Sequence, residues 1–189
     1  MNREERKDEP LISVTQVISP WNNFSGIPQE TLEFASARGT RVHQLCADYA
    51  ESGGLWAPGK IPLECRPYFE SFKIWFDSVV EEVVAVEKEF IDETYQFVGH
   101  IDIICRIKGD RGLVVCDYKS PQTHKKIWRL QLAAYTHLAK QEYPNINRCF
   151  SLMLSASGKA PKVNEYLESH RDMAVFLSAL QVQRFMEND

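Results

Sequence analysis

Gly99–Ser120 reads GHIDIICRIKGDRGLVVCDYKS, and this stretch decides the fold. Two runs rich in Ile and Val flank KGDRG, so the pattern predicts strands over Phe97–Ile107 and Leu113–Ser120 joined by a tight turn. Side chains alternate along a strand. Ile101, Ile103, Cys105 and Ile107 are therefore expected on one face, and His100, Asp102, Ile104 and Arg106 on the other. In the second strand Val115, Asp117 and Lys119 share the face opposite Val114, Cys116 and Tyr118. A two-residue loop at Gly109–Asp110, or a four-residue loop from Lys108 to Arg111, pairs Ile104 with Val115, Asp102 with Asp117 and His100 with Lys119. A bulge would shift that register.

Both strands carry apolar residues on both faces, which fits a sheet covered on both sides. Carboxylates opposed across a strand pair repel and favour a cation or a raised pKa. Hard divalent ions such as Mg2+ take carboxylate and water oxygens. Lys119, one pleat beyond Asp117, is placed to orient a water or to offset charge on a scissile phosphate. The competing reading is the solvated outer face of an amphipathic hairpin. Two-sided apolar character weighs against it, because carboxylates are rarely buried without a partner.

Gly-x-x-Asp followed about fifteen residues later by Asp-x-Lys resembles the PD-(D/E)xK nuclease superfamily, and more narrowly its RecB-like exonuclease branch, of phage or repair type. Further motifs follow the order of that branch: Gly39-Thr40-Arg41-Val42-His43 on a helix, Val86-Glu87-Lys88-Glu89-Phe90 on a strand, and Gln131-Leu132-Ala133-Ala134-Tyr135 on a later helix. The resemblance covers roughly residues 36–155 and implies a restriction-endonuclease-like α/β core, a mixed central sheet flanked by helices with an N-terminal helical wall. It implies Mg2+ or Mn2+ held by His43, Asp102, Asp117 and the carbonyl of Tyr118, with Lys119, Asp117, Asp102 and Glu87 as the catalytic set. Glu89 is the alternative to Glu87, since both share a face of a regular strand. Gln131 and Tyr135 would bind DNA and support the site. Relatives with an iron–sulfur cluster carry a C-terminal cysteine trio. No cysteine follows Cys149 here, so no iron–sulfur cluster is expected.

Several of these residues have plainer readings. His43 lies in a helical pattern, where a half-buried histidine is common. Gln131 and Tyr135, four apart, share a helix face and fit a rim Gln beside a packed Tyr. Arg38, Arg41, Lys125, Lys126 and Arg129 suit phosphate contacts, although a solvated charged surface is the commoner explanation of such residues. Tyr68, Phe72, Trp75 and Phe76 recur near helical spacing and read as core.

A length of 189 residues suits one domain, expected over 11–189, behind a charged, disordered tail over 1–10. LISVTQVIS, after that tail, reads as a short strand or extended arm. No apolar run is long enough for a membrane, and MNREERKDEP is too charged for a secretory signal, which points to the cytoplasm. A net charge of −4 argues against a sequence-independent DNA coat protein, while leaving room for local basic patches. The five scattered cysteines lack CxxC spacing, so no zinc site is expected. There is no phosphate-binding GxxxxGK[ST], so a helicase or recombination partner would be a separate chain. The expected activity is metal-dependent exonucleolytic hydrolysis of DNA in recombination, repair or phage DNA processing. The alternatives are a structure-specific or restriction-type endonuclease and a catalytically silent DNA-binding module.

Overall fold

The computed structural model describes residues 11–22, 24–121, 123–167 and 169–187. The tail over 1–10 lies outside them. The element order is β1 (Ile12–Ser13), α1 (Val14–Ile18), a 3-10 turn (Ser19–Trp21), α2 (Gln29–Glu51), α3 (Arg66–Val79), β2 (Val80–Asp92), β3 (Phe97–Ile107), β4 (Leu113–Lys119), α4 (Trp128–Lys140), β5 (Ile146–Met153), β6 (Lys162–Glu165) and α5 (Ser169–Glu187).

The strands form one mixed sheet. β3 pairs antiparallel with β2 and β4, β4 pairs parallel with β5, and β6 closes one edge antiparallel to β5. β2 occupies one edge of β3 over its whole length. The other edge is shared: β1 takes Phe97 and Val98 in parallel, and β4 takes Ile103, Ile104 and Cys105. Among the described residues no strand pairs with 99–102 on that edge. This gap, where β4 diverges from β3, positions the site.

Two apolar clusters cover the sheet. One joins α1, α4 and α5 through residues such as Leu132, Leu138 and Phe176. The other joins α2 and α3 through Cys46, Phe69 and Phe72. Tyr68, Phe72, Trp75 and Phe76 are all buried, and burying a side chain such as Phe72 contributes about 1.5–3 kcal/mol. α3 starts with Pro67 in its first turn, where a missing N–H costs nothing. α2 stops at Gly53 and Gly54, both at positive φ, where Gly54 N–H bonds back to the Tyr49 carbonyl.

Sequence and structure differ in three places here. LISVTQVIS is mostly helix, because Ser13 and Gln16 form a reciprocal capping box at its start. The β3–β4 register holds at Ile104 opposite Val115, but the ladder ends at Ile103 opposite Cys116, before Asp102 and Asp117 pair. Strict alternation also fails in β3. Ile101 packs in the α4-side cluster, whereas Ile103 and Cys105 pack on the α2/α3 side. Across the ladder, Val86 pairs Ile103 and Lys88 pairs Ile101, so Glu87 faces Asp102 at the point where the faces switch. Glu87 has φ +44°, a left-handed conformation costing a non-glycine residue about 1–3 kcal/mol. Opposite that kink, Asp102 faces α2, where its carboxylate meets His43.

Candidate active site

α2 lies across the fork and delivers His43. Its Nε2–H donates to the Tyr118 carbonyl at 3.0 Å, which fixes the ring and leaves Nδ1 facing Asp102 Oδ1 at 3.3 Å. Asp102 Oδ2 accepts the backbone N–H of Tyr118 at 2.5 Å. The carboxylate thus replaces the strand bond that the ladder lacks once β4 diverges. Glu87 completes a cluster with His43 and Asp102, one ligand atom from each lying within 4.8 Å of the others. Glu89, the alternative, is instead 3.2 Å from His100 at the cleft wall. The cleft has a volume of about 590 Å³, and its lining includes His43, Glu51, Glu87 and His100.

The second group sits at the end of β4, toward α4. Lys119 Nζ is 2.5 Å from Asp117 Oδ2 and donates to Gln131 Oε1 at 2.8 Å. Gln131 Nε2 in turn donates to the Tyr135 hydroxyl at 3.0 Å. Gln131 and Tyr135 are each only 4 % exposed. In this conformation they hold Lys119 in place and present no surface to a ligand. Gly99 makes their approach possible: a Cβ there would lie 2.7 Å from Leu138 Cδ1 and 3.0 Å from the Tyr135 ring. His100, expected opposite Lys119, lines the α2-side cleft. The early end of the ladder and the face switch separate the two.

The electrostatics of the groups follow from this packing. Burial opposes a charged His43, but the Asp102 carboxylate outweighs it and raises the ring to about 9. Asp102 is buried, yet His43 and Lys119 hold it below its usual range. Burial lifts Asp117 to about 6, with Lys119 opposing and Asp102 reinforcing the shift. Burial and the charge of Asp102 lift Glu87 to about 7. Three carboxylates crowd one fork, and two of them resist ionisation. That donor set fits a divalent cation, with oxygen donors from the acids and one imidazole nitrogen.

The basic residues expected at a DNA surface lie mainly before and within the first turn of α4. Lys125 Nζ donates to Asn22 Oδ1 at 3.3 Å, Arg129 Nε pairs with Asp172 Oδ2 at 3.0 Å, and Lys126 is exposed. Arg41 is exposed on α2, two residues before His43. The five cysteines are all free and buried. No helix among the described residues is long and apolar enough to cross a membrane.

The family model of the PD-(D/E)XK nuclease superfamily matches residues 23–182. Among solved structures, the chain is similar to one named "Putative exonuclease" from Eubacterium rectale, with a TM-score of 0.51 and 12% identity over 96% of this chain and 83% of that one. At that identity the likeness is one of fold. No curated protein matches the chain.

Proposed function

Because the chain belongs to the PD-(D/E)XK nuclease superfamily, with its restriction-endonuclease-like α/β fold, we propose that it is a divalent-metal-dependent DNA exonuclease of the RecB-like kind. The observation that carries this reading is one juxtaposition: the His43–Glu87–Asp102 cluster and the Asp117–Lys119 pair meet at the fork between β3 and β4. Nucleases of this superfamily use divalent metals. Mg2+ or Mn2+ would be held by Asp102, Asp117, Glu87 and the Nδ1 of His43, with the second lone pair of the Tyr118 carbonyl also available. When bound, the ion supplies an activated water and neutralises charge at the phosphate.

The remaining work belongs to the chain. Tyr118 orients His43 so that the correct ring nitrogen faces the acids. Gln131 and Asp117 hold the Lys119 ammonium from two sides, so it meets developing phosphate charge without reorganising. Arg41, Lys125, Lys126 and Arg129 contact the DNA backbone in this reading. The domain spans 11–189 and serves recombination, repair or phage DNA processing, with any unwinding supplied by another chain.

The test is nuclease activity on matched linear and covalently closed circular DNA with Mg2+ or Mn2+. End-labelled linear DNA is degraded and the circle is spared. Asp117→Ala abolishes degradation while the far-ultraviolet circular dichroism is unchanged. Cutting of the circle would convert the reading to an endonuclease, and full activity in Asp117→Ala would remove the site.

A further inference from the structure

A second cavity, of about 420 Å³, opens beside α4. Among the described residues its lining includes Trp21, Lys126, Arg129, Arg171 and Asp172, with three cations and one carboxylate, in a chain of net charge −4. Asp172 anchors Arg129. Trp21 ends the 3-10 turn and is 58 % exposed, a large apolar ring left in water. Three residues on, Phe24 is 45 % exposed, with Lys125 Nζ 4.3 Å from its ring centroid.

A chain of contacts links this surface to the fork. Lys119 Nζ lies 5.7 Å from the centre of the Trp128 ring, and Trp128 N–H bonds the Lys125 carbonyl at 3.1 Å. Lys125 reaches Phe24 and Asn22, and Trp21 and Lys126 line the cavity beyond. Burial and the charge of Lys119 both push Lys125 below the usual lysine range, so an anion near the two ammonium groups would be welcome to both. Cations interleaved with exposed rings suit a nucleic acid whose bases are unstacked and free to lie on those rings. A duplex keeps its base faces covered and gains only from the cations.

We propose that Trp21 and Phe24, with Lys125, Lys126, Arg129 and Arg171, form a track that binds a single DNA strand running to the fork. This rests on the nuclease reading and names the form of its substrate: a strand end already separated from its complement. The rings stack on bases, and the cations hold the phosphates between them.

Fluorescence anisotropy of the full chain in EDTA, where nothing is cut, tests the track with labelled oligothymidine and a blunt hairpin duplex. Trp21→Ala and Phe24→Ala should each weaken oligothymidine binding about 5- to 100-fold and change duplex binding by less than about twofold. Trp21→Phe, which keeps a ring, should recover most of the loss. Both side chains are exposed, so the variants retain the wild-type melting temperature. Unchanged oligothymidine binding in both alanine variants, or equal losses on the two DNA forms, would overturn the track. Selective loss in a chain that shows no metal-dependent cleavage would sink the nuclease reading and leave the track standing. Cleavage together with unchanged oligothymidine binding would do the reverse.

Discussion

The two halves of the fork hold charge in opposite ways. On the α2 side, His43, Glu87 and Asp102 line an open cleft, and the Glu87 carboxyl is pushed up to about 7. On the α4 side, Asp117, Lys119, Gln131 and Tyr135 form a closed chain of contacts with little exposure. The open half is short of positive charge and accessible to an ion. The closed half already contains its cation, aimed and fixed. Preorganised charge stabilises a transition state because it need not reorient during the reaction. In the proposed reading, ion binding centres on one face of the sheet and charge positioning on the other, with Asp117 serving both across the gap in the β3 ladder.

That division breaks most visibly when one half is altered and the other is read. Lys119→Met keeps the volume of the lysine stem and removes its charge. It should lower cleavage by about 10²–10³-fold or more while Mn2+ still binds by titration calorimetry. Asp102→Asn retains an acceptor for the Tyr118 N–H and should lose both cleavage and Mn2+ binding. Loss of Mn2+ binding in Lys119→Met, or its retention in Asp102→Asn, would show that the halves are not separate.

A smaller effect is expected from Gln131→Ala. Lys119 loses its 2.8 Å acceptor, and the Tyr135 hydroxyl loses a partner. Stability should fall by about 1 kcal/mol in urea denaturation. The value of kcat should fall about tenfold with KM nearly unchanged. An unchanged kcat would mean that Asp117 alone aims Lys119.

Much of this was legible in the chain. β3 and α2 begin and end where the apolar patterns and flanking Gly and Pro place them. The hairpin register follows from the KGDRG turn, and β4 is buried on both sides as its composition requires. The kink was not legible. A positive φ at a glutamate leaves no sequence mark, so position along the strand alone could not separate Ile101 from Ile103 or Glu87 from Glu89. The first helix could have been found, since Ser13-x-x-Gln16 is a capping pattern. The two motif glycines also differ in a way that spacing does not reveal. Gly99 is required by the close approach of Leu138, whereas a Cβ at Gly39 meets only Ser120 Oγ at an ordinary 3.6 Å. Gln131 and Tyr135 share a helix face as their spacing implies, but their burial depends on how α4 lies over Gly99.

The smallest effect expected is on stability as a function of pH, and it tests the open half without any substrate. Burial, then the charge of Asp102, lifts Glu87 from 4.5 to about 7. Burial also lifts Asp117 from 3.8 to about 6. Between about pH 4 and 7 the folded chain therefore holds more protons than the unfolded chain, and metal-free stability falls as pH rises. His43 acts in the same direction: raised from 6.5 to about 9, it contributes fully below pH 6.5 and loses that contribution as pH rises through 9. A divalent cation competes with these protons and binds only the folded site, so with saturating Mn2+ the slope should weaken or reverse. Thermal melts in EDTA and in Mn2+ across this range should diverge as pH increases. Glu87→Gln should flatten the EDTA curve, modestly because Glu87 remains in contact with water. Parallel curves with and without Mn2+ would mean that the cluster facing α2 exchanges no protons for an ion.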